Sequence, residues 1–236
     1  MRIAALLIGR GGSSLRDKNL LPVKGVPLLL WTAAAARQSH RTQEFYVSSD
    51  DPRILETAGR AGYQAIRRPD DLASGSARSC DVVRHALGEI PDAGTLDVLV
   101  VVHANIPSIT GEMIDECIET LLADPSATSV VPVHRSTGTH PLWAKLVSEE
   151  GRLIQAAPGD HSPNRQELPA AFFPDHSFWV LRTSAITADG GQPPWPCMGN
   201  QIVPFVTEGP VDVHVAEDLR AVEEWLDRNG VPAPHY

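Results

Sequence analysis

The stretch best suited to chemistry is Gly9-Arg10-Gly11-Gly12-Ser13-Ser14, followed closely by Arg16, Lys18 and Asn19. Glycines after a strand let backbone N–H groups come close to phosphate oxygens, because no Cβ stands in the way. As a dinucleotide fingerprint the run fails, since Ser14 stands where a third glycine belongs. It also fails as a P-loop, because no Gly-Lys-Ser/Thr follows at the required spacing. On the glycines alone, a plain tight turn remains open. The charges favour a ligand: Arg10, Arg16 and Lys18 lie within nine residues, a crowding that a surface turn does not need and a triphosphate does. Arg68 is either a solvated arginine or a ligand contact. Asp212 precedes a helix and is either a cap or a carboxylate for a hard cation. His103 and His176 are either satisfied side chains or donors to an anion.

The elements that must position these residues alternate. Ile3 to Ile8 is an apolar run of the kind that forms a strand buried on both faces. Helices are expected over 27–36, 53–61, 79–87 and 110–122, and strands over 45–48, 63–66, 96–102 and 129–133. Such alternation argues for a doubly wound, mainly parallel sheet. Ligands of such sheets bind beyond the carboxyl ends of the strands. Three polar segments, 9–19, 48–51 and 103–108, fall at those ends and are expected to meet. From 134 to 174 the pattern loosens into an inserted arm, with a strand expected over 143–147. The chain returns to the sheet at 177–181, passes a proline-rich loop at 190–199 and closes with a helix over 217–228.

The 236 residues are 42% hydrophobic and 21% charged, enough for one α/β domain spanning the chain. A formal net charge of −9 argues against nucleic acid or acidic membranes as partners. No apolar run reaches the ~20 residues that span a bilayer, and no signal-peptide pattern is visible, so a cytoplasmic location is expected. Cys80, Cys117 and Cys197 lie far apart without a CxxC pair and are expected to be thiols.

Arg10-Gly-Gly-Ser, Lys18-Asn19-Leu20, Val26-Pro27-Leu28 and Ser48-Ser49-Asp50-Asp51 together resemble the acylneuraminate cytidylyltransferase family. The resemblance is close at Arg68-Pro69-Asp70-Asp71-Leu72-Ala73, with Ala77, Ser79 and Asp81-Val82-Val83 following. It resumes at His140-Pro141-Leu142-Trp143, Arg165-Gln166-Glu167-Leu168-Pro169, and Val211-Asp212 with Glu217-Asp218-Leu219. It implies a nucleotidyltransferase fold, Rossmann-like and GT-A-like, that moves CMP from CTP to an acidic acceptor and releases pyrophosphate. By this resemblance Arg10, Gly11, Gly12, Ser13, Lys18 and Asn19 hold the phosphates, while Arg68, Ala77 and Ser79 read cytosine. Asp212 binds Mg²⁺ (or Mn²⁺), and the arm makes a homodimer by reaching the partner subunit's site.

Two of the four departures fall on the acceptor side. The loop is one residue short of the family's pattern, and Arg16 is expected to supply the missing charge. The second metal carboxylate reads His214, a better ligand for softer ions than for Mg²⁺. His103-Ala104-Asn105-Ile106-Pro107 and Asp175-His176-Ser177-Phe178-Trp179 replace segments that line the sugar pocket. His103, Asn105, Arg165, Gln166 and His176 are therefore the expected acceptor contacts, for a nonulosonic acid or a small phosphonate. Two alternatives stay open: another nucleoside triphosphate used on a sugar 1-phosphate, and a non-catalytic nucleotide-binding subunit.

Overall fold

The computed structural model describes every residue except Ser13, Ser14, Thr137 and Tyr236. Its first strand, β1 (Ile3–Ile8), is buried throughout. Ile3, Ala5 and Leu7 face one core cluster and Ala4, Leu6 and Ile8 the other. A strand covered on both faces has no polar side to alternate with, which is why it reads as a continuous apolar run. A small hairpin of β2 (Pro22–Val23) and β3 (Val26–Pro27) leads into α1 (Leu28–Gln38). Then come β4 (Glu44–Ser49), α2 (Pro52–Arg60), β5 (Gln64–Arg67), α3 (Ser79–Glu89), β6 (Val98–His103), α4 (Gly111–Ala123) and β7 (Ser129–Arg135).

The chain leaves the sheet after β7 and makes a hairpin of β8 (Lys145–Val147) and β9 (Leu153–Gln155). It comes back as β10 (Phe172–Pro174) and β11 (Phe178–Arg182), followed by α5 (Thr183–Thr187), β12 (Ile202–Thr207) and α6 (Asp218–Arg228). The strand expected over 143–147 is thus a short helical turn at Pro141–Trp143 and then β8.

The main sheet has the order β10-β7-β11-β6-β1-β4-β5, with β12 on β7. β1 pairs in parallel with β4 and β6, β4 with β5, and β12 with β7, whereas β10 and β11 run antiparallel. After β1 the chain builds outward through β4 and β5, then crosses back to place β6 on the other side of β1. The order reverses between β1 and β6, and their carboxyl ends open the crevice such sheets use for ligands. α1, α2 and α4 pack one face, and α3 and α5 the other. Trp31 and Leu28 of α1 also meet Val222 and Leu226 of α6 in a third cluster that includes Val213.

Two details bear directly on the site. Between β10 and β11, Asp175 is buried and its Oδ1 accepts from the Ser177 amide at 3.0 Å and the Ser177 hydroxyl at 2.6 Å. His176 between them takes a left-handed φ of 56°, and the strand splits there. The expectation of three thiols is corrected: Cys80 and Cys197 form a disulfide across 117 residues, with Cα atoms 5.4 Å apart, and Cys117 is a free, buried thiol. Sequence spacing could not reveal the pair, because only the docking of the 190–199 loop on α3 brings it together.

α4 starts where α1 ends, and contact there is tight. A Cβ at Gly111 would stand 2.7 Å from the Gln38 carbonyl carbon and 2.8 Å from the Ser39 nitrogen. Backbone atoms cannot move aside as a flexible side chain can. Gly111→Ala is therefore expected to lower stability by about 1–3 kcal/mol, read as a reduced urea midpoint.

Candidate active site at the strand switch point

The crevice between the ends of β1 and β6 has a volume of about 390 Å³. Gly9, Arg10, Lys18 and Asn19 line one side, and Arg68, Ser74, Gly75, Ala77 and Ser79 another. His103, Asn105 and His214 complete it. The sequence separation is wide, but each group arrives at a strand or helix terminus on the same end of the sheet.

The phosphate loop is held by backbone proximity. A Cβ at Gly9 would lie 2.9 Å from the Ala104 Cβ, and one at Gly11 would lie 2.8 Å from the Asp51 Cβ. These glycines therefore seat the loop against the ends of β6 and β4. The Gly11 amide donates to Asp50 Oδ1 at 3.0 Å. Asp51 caps α2 by accepting from the Arg53 amide at 2.8 Å. Asn19 is buried and donates to the Arg10 carbonyl at 3.0 Å, which makes it a brace for the loop. Its Oδ1 is a buried oxygen with no hydrogen-bond partner among the described residues. Gly12 is exposed and a Cβ there would meet open space. Ser13 lies outside the described residues.

The cations do not all converge. Arg10 reaches across the crevice, with Nη1 3.6 Å from where a Gly75 Cβ would be. Lys18 is half-buried at the mouth. Desolvation lowers its pKa first, Asp212 opposes that, and the nearby Arg10 lowers it further. Arg68 is buried, donating from Nη2 to the Ser48 carbonyl at 2.7 Å and from Nε to the Ser48 hydroxyl at 3.2 Å. Burial pulls its pKa down to about 10, against the attraction of Asp50. Arg16 is a correction: its side chain is 96% exposed and approaches Asp17 at 3.7 Å, outside the crevice. The loop turns it outward, and the third converging cation is Arg68.

On the opposite wall the Asn105 amide donates to Asp212 Oδ1. His214 Nε2 lies 2.9 Å from Asp212 Oδ2, and the Val213 amide donates to the Asn105 carbonyl at 3.2 Å. Among the described residues no group of three or more His, Cys, Asp and Glu side chains could form a metal cage. One carboxylate at the mouth of a phosphate crevice still suits Mg²⁺, which usually takes one or two protein carboxylates and completes its shell with phosphates and water. His214 sits where it donates to that carboxylate.

The corner around His103 is aromatic, and His176, which does not itself line the crevice, lies behind it. The His103 ring lies 4.8 Å from Trp179 and 6.4 Å from His176, and His176 lies 4.5 Å from Trp195. Burial, and then His176, push His103 down to about 3. Burial likewise lowers His176, although Asp175 and Asp212 oppose it. Both imidazoles are neutral at pH 7, so they offer hydrogen bonds without positive charge. Arg165 and Gln166 sit in a short turn of the arm, where Arg165 donates to the Ser136 carbonyl. The structure does not bring them to this chain's crevice.

Sequence reasoning missed Ser74, Gly75, Asp50 and Trp195. The first two stand between Ala73 and Ala77, and Ser74-Gly75-Ser76 is a turn signature that pointed to them. Trp195 gave no signal, because it sits in an irregular loop over a hundred residues from the helix it packs near.

The cytidylyltransferase family model matches residues 4–167, a span that holds the phosphate loop, Arg68, the 77–79 segment and the end of β6. The chain belongs to that family. It is 29% identical over 146 residues to a 3-deoxy-manno-octulosonate cytidylyltransferase of Bdellovibrio bacteriovorus, covering 61% of this chain and 53% of that one. Against an N-acylneuraminate cytidylyltransferase of Oncorhynchus mykiss it is 28% identical over 189 residues, covering 78% and 42%. The chain thus spans about half the length of the curated relatives it matches. Among solved structures, CMP:2-keto-3-deoxy-manno-octonic acid synthetase complexed with CTP superposes with a TM-score of 0.72 at 18% identity, over 97% of this cytidylyltransferase-family chain and all of that one. At such identity the likeness shows a shared fold.

The depressed pKa of His103 has a measurable consequence. Its unfolded value is near 6.5 and its folded value near 3, so between those pH values the unfolded chain binds the proton and the native one does not. Stability due to this group is complete above 6.5 and is lost as pH falls toward 3, at up to about 1.4 kcal/mol per pH unit. His103→Gln is expected to flatten the fall in urea midpoint between pH 7 and pH 4 relative to the parent protein.

Proposed function

We propose that this chain transfers the CMP unit of CTP to an acidic acceptor and releases pyrophosphate. The observation that carries the reading is the convergence of Arg10, Lys18 and Arg68 with the 77–79 segment in one crevice, within the span matched by the cytidylyltransferase model. The activities of the similar 3-deoxy-manno-octulosonate and N-acylneuraminate cytidylyltransferases support it. Arg68, Ala77 and Ser79 read the cytosine, whose edge offers an N4 donor and N3 and O2 acceptors. Arg10 and Lys18 hold the phosphates, and their charges stabilise the oxygens on which negative charge accumulates.

An acceptor oxygen attacks the α-phosphorus in line. The new O–P bond forms as the bond from that phosphorus to the β-phosphate bridging oxygen breaks, and pyrophosphate departs with those electrons. Positioning and charge neutralisation supply the acceleration. Asp212 would hold a Mg²⁺ ion, which would neutralise the triphosphate when bound. Asn105 and His214 fix the Asp212 carboxylate, and Lys18 stands near it.

The acceptor is a nonulosonic acid or a short phosphonate. His103 and His176 contact it as neutral donors, which leaves its charge to be balanced by the cations of the loop. The arm over 134–174 supports a homodimer. Its hairpin exposes Leu146, Val147, Leu153 and Ile154 at 48–73%, a cluster that water disfavours and a second copy would cover. Arg165 and Gln166 then serve the partner's crevice. No helix of the described residues is long and apolar enough to cross a membrane, and a cytoplasmic location, where CTP is made, suits the reaction.

Pyrophosphate release from CTP and Mg²⁺, assayed against a sialic acid, a 3-deoxy-octulosonic acid and several short phosphonates, tests the reading. Turnover with at least one of them is expected. Arg10→Ala and Lys18→Ala should each lose about a hundredfold or more, as removal of one transition-state donor does, with folding intact by circular dichroism. Arg16→Ala should stay within about threefold of the parent, being a solvated surface change. Full activity in both of the first two variants would refute the assignment.

A further inference from the structure

The Cys80–Cys197 disulfide lies beside the crevice. Cys80 is the second residue of α3, directly after Ser79, and Ala77 and Ser79 line the nucleotide crevice. The same two residues also form one wall of a neighbouring cavity of about 550 Å³. Its far wall is Pro193, Pro194, Trp195 and Pro196 of the 190–199 loop. Cys197 follows that wall and is fully buried, as is Cys80. Trp195, two residues before Cys197, sets its ring edge-on to His176 at 4.5 Å. His176 in turn holds a left-handed backbone at the split between β10 and β11 and meets His103, which lines the crevice.

The loop has other anchors, but they tie its base. The Gln192 amide donates to the Gly199 carbonyl at 3.0 Å, the Asn200 side chain to the Gly190 carbonyl at 2.9 Å, and the Thr128 hydroxyl to the Met198 carbonyl at 2.8 Å. Those bonds close the loop on itself and on the start of β7. The loop also packs Cys197 and Met198 beside Cys80, Val82 and Val83 of α3, and the disulfide adds the covalent restraint on the distance between the 77–79 segment and Trp195.

We propose that the Cys80–Cys197 disulfide and Trp195 form a positioning strap that holds the His176 imidazole against the acceptor end of the crevice, so that acceptor recognition, but not nucleotide binding, depends on thiol redox state. The proposal rests on the reading that this crevice takes CTP and an acceptor. Reduction breaks the single S–S bond. Two electrons and two protons come from a dithiol, which becomes its own disulfide, and Cys80 and Cys197 are left as thiols. The loop then keeps its hydrogen bonds to the sheet and the apolar packing of Cys197 and Met198 beside α3, but the covalent restraint next to Trp195 is gone, and Trp195 can leave the His176 ring. The nucleotide end is untouched: Arg10, Lys18 and Arg68 are held by β1, β4 and the loop between β1 and α1, and the 77–79 segment keeps its own backbone bonds, from the Ala77 amide to the Ser74 carbonyl at 3.3 Å and from the Asp81 amide to the Arg78 carbonyl at 3.0 Å. Trp195 is a positioning residue: it acts on the acceptor through His176.

The test uses the full chain with ¹³C-labelled histidine, air-oxidised and then reduced with dithiothreitol. Thiol titration in denaturant should find one free thiol per chain before reduction, Cys117, and three after it. The His176 ring resonance, assigned by its absence in His176→Asn, should move on reduction. It should move likewise in Trp195→Ala and stay near the parent position in Trp195→Phe, which keeps a ring against the imidazole. In turnover with methylphosphonate or 3-deoxy-octulosonic acid, reduction and Trp195→Ala should each lower acceptor kcat/KM at least fivefold, with KM for CTP within twofold. Trp195→Phe should restore most of the loss.

Three free thiols before reduction, a His176 resonance unmoved by reduction, or equal losses for CTP and acceptor would overturn the strap. A protein that binds no CTP would remove the proposed function and leave the strap to be judged on the resonance. That signal does not depend on what the crevice binds.

Discussion

Three like charges share one crevice, and the fold must hold them there against their own repulsion. Burial lowers the pKa of both Lys18 and Arg68, and the nearby Arg10 lowers each further. Such a site is destabilised when empty and relieved when a polyanion enters, which is the condition for tight phosphate binding. The acidic residues around it moderate the repulsion without cancelling it. Asp50 supports Arg68 and holds the Gly11 amide, and Asp212 supports Lys18 from the far wall. The scaffold that tolerates this is the double-sided burial of β1 and its neighbours: Arg10 and Lys18 follow β1, Asp50 follows β4, Arg68 follows β5 and bonds back to Ser48 of β4, and Asp212, after β12, is met by Asn105 beyond β6.

The acceptor end is built on a different principle. Where the phosphate end concentrates charge, this end removes it. His103 is pressed against Trp179, His176 against Trp195, and burial keeps both imidazoles neutral. Neutral donors in an aromatic frame select by shape and hydrogen-bond direction, and they leave charge balance to the loop.

Much of the fold was legible because its strands obey simple periodicity. The runs Ile3 to Ile8 and Val98 to Val102 are apolar without alternation, the mark of strands covered twice, and the polar segments after them met where a parallel sheet requires. Arg68, Ala77 and Ser79 gathered as the family resemblance implied. What failed was anything depending on direction or on distant pairing. Arg16 lies in the right loop but faces outward, and no local pattern separates it from Arg10. Asn19 and Gly11 also brace the loop, through the Asn19 bond to the Arg10 carbonyl and the close fit of Gly11 against the Asp51 side chain, neither of which leaves a trace in spacing. The Cys80–Cys197 pair and Trp195 depend on how an irregular, proline-rich loop docks.

The central claim is that this crevice is built for CTP. Calorimetric titration of the full chain with CTP, UTP, ATP and GTP, each with Mg²⁺, tests it most directly, since it requires no acceptor. CTP is expected to bind at least about tenfold tighter than the other three, a discrimination of about 1.4 kcal/mol. This preference, rather than overall affinity alone, is expected to be lost in Arg68→Ala. Equal affinity for all four nucleotides, or a preference for UTP or a purine, would contradict it.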